Sequence, residues 1–292
     1  VNAQGLVENV QILSSNLVQN PSFSEEGSEE VSNGSFSQEG VQLITNGDFS
    51  SDTDWNKETG WTITGGNLVA TSVSGTAAYQ VGSGIVSGKT YKVQFEITEY
   101  TAGAVGLRAG TGSTLQTFNS IGVHSAYMVA SGALQVRFDV SGTTTLKIDN
   151  VSCVEVGQNW EFNSTAILTA NGMNITTGGY IRQDVVTIGK SYKLTYDIVS
   201  YTSGDIRVYD GTSQGSIPTS VGSNTFNFTA GGSVFFIQSN SASVNLVITN
   251  ISIKEVGQNW VLDANWSIAE NKATSDGSVN GFIKTSSNLF ES

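Results

Sequence analysis

The chain has 292 residues, of which 13% are charged, with a net charge of −12 and 33 Gly against 2 Pro. Its 13 basic residues stand singly; phosphates need clustered Lys and Arg, so this pattern excludes nucleic acid and anionic membranes as partners. No apolar run approaches the roughly 20 residues of a membrane span, and the single cysteine, Cys153, excludes an internal disulfide and reads as a small buried side chain.

Residues 1–43 hold six Glu and no Asp, Lys or Arg, so they carry half of the net charge. NPSFS (20–24), NGSFS (33–37) and NGDFS (46–50) recur at intervals of 13. Each is like the opening strand of a β-sandwich, LITNGDFS (43–50), without the domain that should follow. The reading is an extended acidic arm with three strand-like anchors, ordered where it packs on something.

Residues 44–156 read as the first domain and 157–256 as the second. GKTYKVQFEITEYTAGAVGLRAGTG (88–112) falls on GKSYKLTYDIVSYTSGDIRVYDGTS (189–213) after a shift of 101, and LKIDNVSCVEVGQNW (146–160) on LVITNISIKEVGQNW (246–260) after a shift of 100. A unit of that length is one β-sandwich rather than a solenoid repeat. Inside it the period is two: Tyr91, Val93, Phe95 and Ile97 alternate with Lys92, Gln94, Glu96 and Thr98, as Tyr192, Leu194, Tyr196 and Ile198 do with their neighbours. That is the pattern of an antiparallel sheet buried on one face. TAGA (101–104), VSGT (140–143) and TSGD (202–205) supply turns. With no helical stretch between strands, the fold class is all-β: tandem jelly-roll sandwiches with an extended N-terminal arm. In the last strand of each unit the apolar phase slips at Asp149-Asn150 and Thr249-Asn250, which predicts a β-bulge.

EVGQNW (155–160, 255–260) lies where one sandwich ends and the next begins. Trp55, Trp61, Trp160 and Trp260 are expected as core anchors. The linker Gly157-Gln158 is too short to let neighbours move freely, so a rod is expected rather than loose beads. Residues 257–292 open a third copy and stop after 36 residues. Such a piece does not bury its apolar side alone; the copy is cut short, or its strands complete a sheet on another molecule. With the unpaired arm, this leads to the expectation that at least one end contacts another polypeptide by strand addition.

LITNGDF…W…GWTITGGNLVA…YQV…GKTYKVQFEI…IDNVSCVEV resembles the jelly-roll modules related to carbohydrate-binding modules. The tandem form, with NGDFS echoes before it and EVGQNW joints, is similar to repeat proteins of bacteriophage virions, as fibre or surface components. The resemblance covers 44–256 and part of 257–292. It implies a non-enzymatic structural protein of the virion, with other copies and other virion proteins as partners and host surface glycans as a further contact. The alternative is a glycan-binding adhesin module, secreted or at a bacterial cell surface. Such modules often hold a structural calcium between opening and closing strands, which falls on Asp48 and Asp149; hard oxygen ligands suit that ion. In the second domain Thr249 replaces the latter, and NWEF (159–162) stands where NGDF is expected. The local reading of the pair is that Asp48 caps a turn and Asp149 sits at the bulge.

Reactive chemistry is sparse. His124 is the only histidine, so a Ser-His-Asp triad would have to use it, within an ordinary strand-like stretch, IGVHSAYM (121–128). No phosphate-binding glycine loop occurs, and no cofactor is expected beyond the calcium. Exposed rings that could stack on sugars are Tyr100, Tyr201, Tyr209 and Trp266; the competing reading for Tyr100 and Tyr201, which share a repeat position, is packing beside a turn.

Overall fold

The computed structural model describes residues 18–81, 84–113, 115–140, 142–262, 265–277 and 281–285. The first 17 residues of the arm and the last seven of the chain, on which expectations for both ends partly rest, lie outside the described residues.

Among the described residues every regular element is a strand, and every pairing is antiparallel. In the first sandwich one sheet runs in the order Gly122–Val129, Thr90–Ala102, Thr144–Val156, Asn67–Val73, Trp61–Thr64. The facing sheet runs Asn56–Lys57, Ala77–Val81, Gln135–Val140, Val105–Ala109, Gln116–Phe118. The second sandwich repeats both orders, with Gly222–Thr229, Ser191–Ser203, Asn245–Val256, Gly172–Thr176, Ala166–Thr169 over Glu161–Phe162, Tyr180–Gln183, Phe235–Ser239, Ile206–Tyr209, Ser213–Ile217. Neighbours in a sheet are mostly not neighbours in sequence, which is jelly-roll connectivity. The alternation read from the sequence fills the space between sheets: Tyr91, Val93, Phe95 and Ile97 face Leu107, Val136 and Phe138 in one core, and Tyr192, Leu194, Tyr196 and Ile198 face Val208, Phe235 and Ile237 in the other. Cys153 is fully buried in the first core; burial pushes its thiol up to about 12, which makes it inert.

The long closing strands Thr144–Val156 and Asn245–Val256 each carry the expected bulge. Asp149 pairs with Glu96 but Ser152 with Gln94, so three steps on one strand oppose two on the other. Thr249, Asp197, Ser252 and Thr195 repeat the arrangement. Asn150 and Asn250 take the left-handed conformation the extra residue requires, at φ 54° and 52°. Their side chains donate to acids on the neighbouring strand, Glu96 at 3.0 Å and Asp197 at 2.7 Å.

The bulge divides each closing strand between two partners. Before it, Thr144–Ile148 pairs with Asn67–Val73, and Asn245–Ile248 with Gly172–Thr176. After it, the free edge is taken by the arm. Glu39–Gln42 adds to Val154–Val156 of the first sandwich, and Glu26–Glu29 to Lys254–Val256 of the second. For the described part of the arm, the strand addition expected between chains is thus made within one chain.

The three arm motifs enter three successive units in reverse order. Phe49 packs on Trp55 at 5.3 Å between ring centres, Phe36 on Trp160 at 5.2 Å, and Phe23 on Trp260 at 5.0 Å. Each indole donates to the carbonyl of the motif's Asn: Trp55 to Asn46 at 3.2 Å, Trp160 to Asn33 at 2.9 Å, Trp260 to Asn20 at 3.0 Å. Asn33 and Asn20 in turn donate their amides to the carbonyls of Gln158 and Gln258 in the two EVGQNW joints. Gln80 clasps the backbone of Thr45, and Gln183 that of Ser32, by paired bonds of 2.7–3.1 Å. The hexapeptide is therefore written twice because each copy receives one repeat of the arm.

This corrects one sequence expectation. NWEF (159–162) does not replace NGDF in the second sandwich; NGSFS (33–37) fills that place, 120 or more residues earlier in the chain. The closing strand explains why. Ile251 donates its N–H to Gly34 O at 3.0 Å, as Val151 does to Gly47 O at 2.8 Å. A Cβ on Gly34 would lie 1.9 Å from Ile251 O, and on Gly47 2.0 Å from Val151 O. Only glycine lets the backbones approach so closely. Gly34→Ala should thus cost the second sandwich about 1–3 kcal/mol, read as a fall in its calorimetric transition with the first transition unmoved. The motif facing the third unit has Pro21 at the same place.

Ion pairs accompany the arm's register. Glu26 bonds Lys193 at 2.6 Å and Lys254 at 3.2 Å, and Glu39 bonds Lys92 at 2.6 Å. The hydrogen bonds from Lys193 and Lys254 hold the Glu26 carboxyl below its usual value of 4.5. A depressed carboxylate pKa gives stability that is present above the unfolded value and lost as pH falls through the folded one. Amide exchange in residues 25–30 should therefore quicken as pH drops below about 4.5, after correction for intrinsic rates, and Glu26→Gln should flatten that dependence.

Candidate functional site

The outer face of the second sheet in sandwich 2 gathers its largest set of partly exposed rings and cations. Strand register makes a grid of six side chains. One row is Tyr180, Gln238, Arg207; the next is Arg182, Phe236, Tyr209. All six are half-buried, because alternate residues of the same strands, Ile181, Val208, Phe235 and Ile237, fill the core beneath. Phe236 is central, with Tyr180 and Tyr209 edge-on to it at 5.5 and 5.9 Å. The Arg182 guanidinium lies 5.3 Å over Phe236, and that of Arg207 5.7 Å over Tyr209. With the Gln238 amide oriented to satisfy both groups, its oxygen accepts from Arg207 at 2.6 and 2.7 Å. Arg182 is bound by both oxygens of Asp184 at 3.0 Å and approached by Glu161 at 3.5 Å. Hydrogen bonding to Asp184 raises its pKa further.

Of the rings proposed from sequence, Tyr209 belongs to this grid. Tyr100 packs against the first core and donates to Gly103 O at 2.9 Å, closing its own turn. Tyr201, its counterpart, is 44% exposed on the other sheet. Trp266 lies in the third unit, in the strand Trp266–Ala269, with its indole N–H buried and without a hydrogen-bond partner. The structure does not bring these four together. Tyr180, Arg182, Arg207 and Phe236 were missed; their signal was outward parity on strands whose other parity is apolar.

Asp48 accepts from Ser50 N and Oγ at 3.3 and 3.1 Å, and Asp149 from Asn150 N at 2.7 Å, so each carboxylate has a local turn role. Their counterparts in sandwich 2, Ser35 and Thr249, are joined by a hydrogen bond from Thr249 Oγ1 to Ser35 O at 3.2 Å. The two positions therefore face each other between arm and closing strand. Among the described residues, no three of His, Cys, Asp and Glu gather into a metal-ligand set. His124 donates through Nε2 to Ser120 O at 2.7 Å, and its counterpart Asn224 makes the same bond to Ser220 O at 2.7 Å. An Asn in the same role marks His124 as a turn-closing residue.

No family model matches the chain, and no curated protein matches it. Solved structures align over most of it, three of them as follows. One is from "Life in the extremes: atomic structure of Sulfolobus Turreted Icosahedral Virus", at 10% identity and TM-score 0.22, covering 72% of this chain and 61% of that one. Another is an oxalate decarboxylase of Lactobacillus farciminis in a formate complex, at 8% identity and TM-score 0.17, covering 71% and 85%. The third is a protein of unknown function from Pseudomonas syringae pv. tomato, of the DUF861 family, at 11% identity and TM-score 0.15, covering 75% and 99%. This chain thus spans about three fifths of the first of them. Likenesses at these scores carry no functional argument. No helix among the described residues is long and apolar enough to cross a membrane.

Proposed function

We propose that the chain is a non-enzymatic structural protein of a bacteriophage virion, a fibre or surface component that assembles with other copies and other virion proteins. The observation that carries this reading is the arm. One strap enters each unit in turn and bonds to each joint, so neighbouring sandwiches share a covalently continuous clamp. Such a clamp suits a rod under load, and it supports a mechanical role better than a catalytic one. Each 13-residue step of the arm, fully extended, reaches at most about 45 Å, which bounds the spacing of successive sandwiches. Electron micrographs of the purified chain should show stiff rods with beads no further apart than that. An antibody to the chain should decorate virus particles from the source culture. Loose, variably angled beads, or label confined to bacterial surfaces, would favour the secreted or cell-surface adhesin instead.

A second reading is supported by the ring-and-arginine grid: contact with host glycans by that face, since rings and planar polar groups together suit sugar recognition. A structural calcium in sandwich 1 is proposed on the facing Asp48 and Asp149, which offer hard oxygen ligands where sandwich 2 has a hydroxyl-to-carbonyl bond instead. Chelation should then lower the melting of sandwich 1 and leave sandwich 2 alone; an unchanged first transition would return both residues to turn and bulge roles.

A further inference from the structure

The two sandwiches are copies of one plan, so the same face can be compared between them. In sandwich 1 the rows are Ala77, Asp139, Gly106 and Tyr79, Arg137, Arg108. The alignment is fixed by Gln80 and Gln183, which make the same bonds to the arm one residue beyond Tyr79 and Arg182. The ring-over-guanidinium pair is present in both with its partners exchanged: Arg137 over Tyr79 at 5.2 Å, and Arg182 over Phe236 at 5.3 Å. Each face carries two arginines and two paired acids, Asp139 and Glu58 in sandwich 1 and Asp184 and Glu161 in sandwich 2, and what differs is how the charges are paired. Asp139 neutralises sandwich 1, accepting from Arg108 at 3.1 Å and from Arg137 at 2.6 Å. In sandwich 2 its place is taken by the neutral Gln238, and the second arginine stands one row over, as Arg207 where sandwich 1 has Gly106, with Tyr209 where sandwich 1 has Arg108.

Arg207 is consequently the one arginine of four that makes no ion pair among the described residues. Its guanidinium is held by Gln238 and laid against Tyr209. Of the acids flanking it in sequence, the exposed Asp205 makes no ion pair with it, and Asp210 is fully buried and accepts from Thr212 N, Thr212 Oγ1, Gln214 Nε2 and Gly231 N at 2.7–3.0 Å. A fixed cation without a counter-ion, in a chain of net charge −12, is complementary to an anion. Beyond a Debye length of about 8 Å at physiological salt the acidic remainder of the chain is screened, so the contact is local. The neighbouring rings supply apolar surface and the Tyr180 and Tyr209 hydroxyls supply hydrogen bonding, as a saccharide requires.

We propose that this face of sandwich 2 binds a carboxylate-bearing saccharide, a uronic-acid glycan, with its carboxylate on Arg207 and its sugar rings against Tyr209, Phe236 and Tyr180. The proposal rests on the glycan-contact reading above and names its ligand class. Guanidinium and carboxylate match in plane and charge, which favours this pairing over a hydroxyl. The test is calorimetric titration of the full chain with an oligogalacturonate and with the same oligosaccharide after reduction of its carboxyl groups. The acidic form should bind about tenfold more tightly. Arg207→Gln should remove that preference. Gln238→Asp should remove it too, because it rebuilds the neutralised arrangement of sandwich 1, and neither variant should shift the melting of sandwich 2. Equal binding of both forms, insensitive to both variants, would overturn the charge inference and leave glycan contact standing. Binding of neither form would overturn both, and a polyglutamate peptide binding as well as the oligogalacturonate would overturn the saccharide assignment.

Discussion

Removing residues 1–38 should leave the first sandwich folded and destabilise the second. The truncated chain keeps Glu39–Gln42 on the first closing strand and Phe49 against Trp55, so sandwich 1 retains its clamp. Sandwich 2 loses Val31 and Phe36 from its core, the edge pairing of Glu26–Glu29, and the Gln183 clasp on Ser32. A large aromatic lost from a core costs about 3–5 kcal/mol, against a total domain stability of roughly 5–15 kcal/mol. The loss also bares the edge of Lys254–Val256, an invitation to pair with other chains. Calorimetry should show one transition kept and one shifted far down, and light scattering should show aggregation above the second. A peptide of residues 18–38 added in trans should restore part of the lost transition. Unchanged melting of both sandwiches would mean that the arm lies on the modules without holding them.

Trp160→Ala should cost sandwich 2 a comparable amount, about 3–5 kcal/mol. Trp160 is 7% exposed, touches Phe36, and holds Asn33 O through its indole N–H. Its removal leaves a cavity and frees the arm at once. The variant should therefore increase protease cleavage between residues 24 and 38 as well as lower the melting point. Combining it with the 1–38 deletion tests whether both act through one contact: their effects should add to less than their sum, because residues in contact are coupled. A Trp160→Ala chain that melts like the parent would remove the indole from the core and make it a surface ring.

Strand content, the 100-residue unit, the bulges at Asn150 and Asn250 and the buried faces were legible because each rests on local regularities: period-two alternation, glycine-marked turns and a phase slip within one strand. The same local logic identified NGDFS echoes at 20, 33 and 46, and Trp residues at 55, 160 and 260. It did not pair them, because Asn33 and Trp160 lie 127 residues apart and the order of pairing is reversed along the chain. Only the closed tertiary structure, in which a bulged closing strand offers its second half to the arm, decided which echo belongs to which sandwich. The candidate site followed the same division. Sequence marked Tyr209 as a ring on a strand, but adjacency across strands set by hydrogen-bond register placed it beside Phe236, Arg207 and Gln238. Whether a charge is neutralised is likewise a property of neighbours in space: Asp139 and Gln238 look like ordinary strand residues until the sheet sets each of them against an arginine.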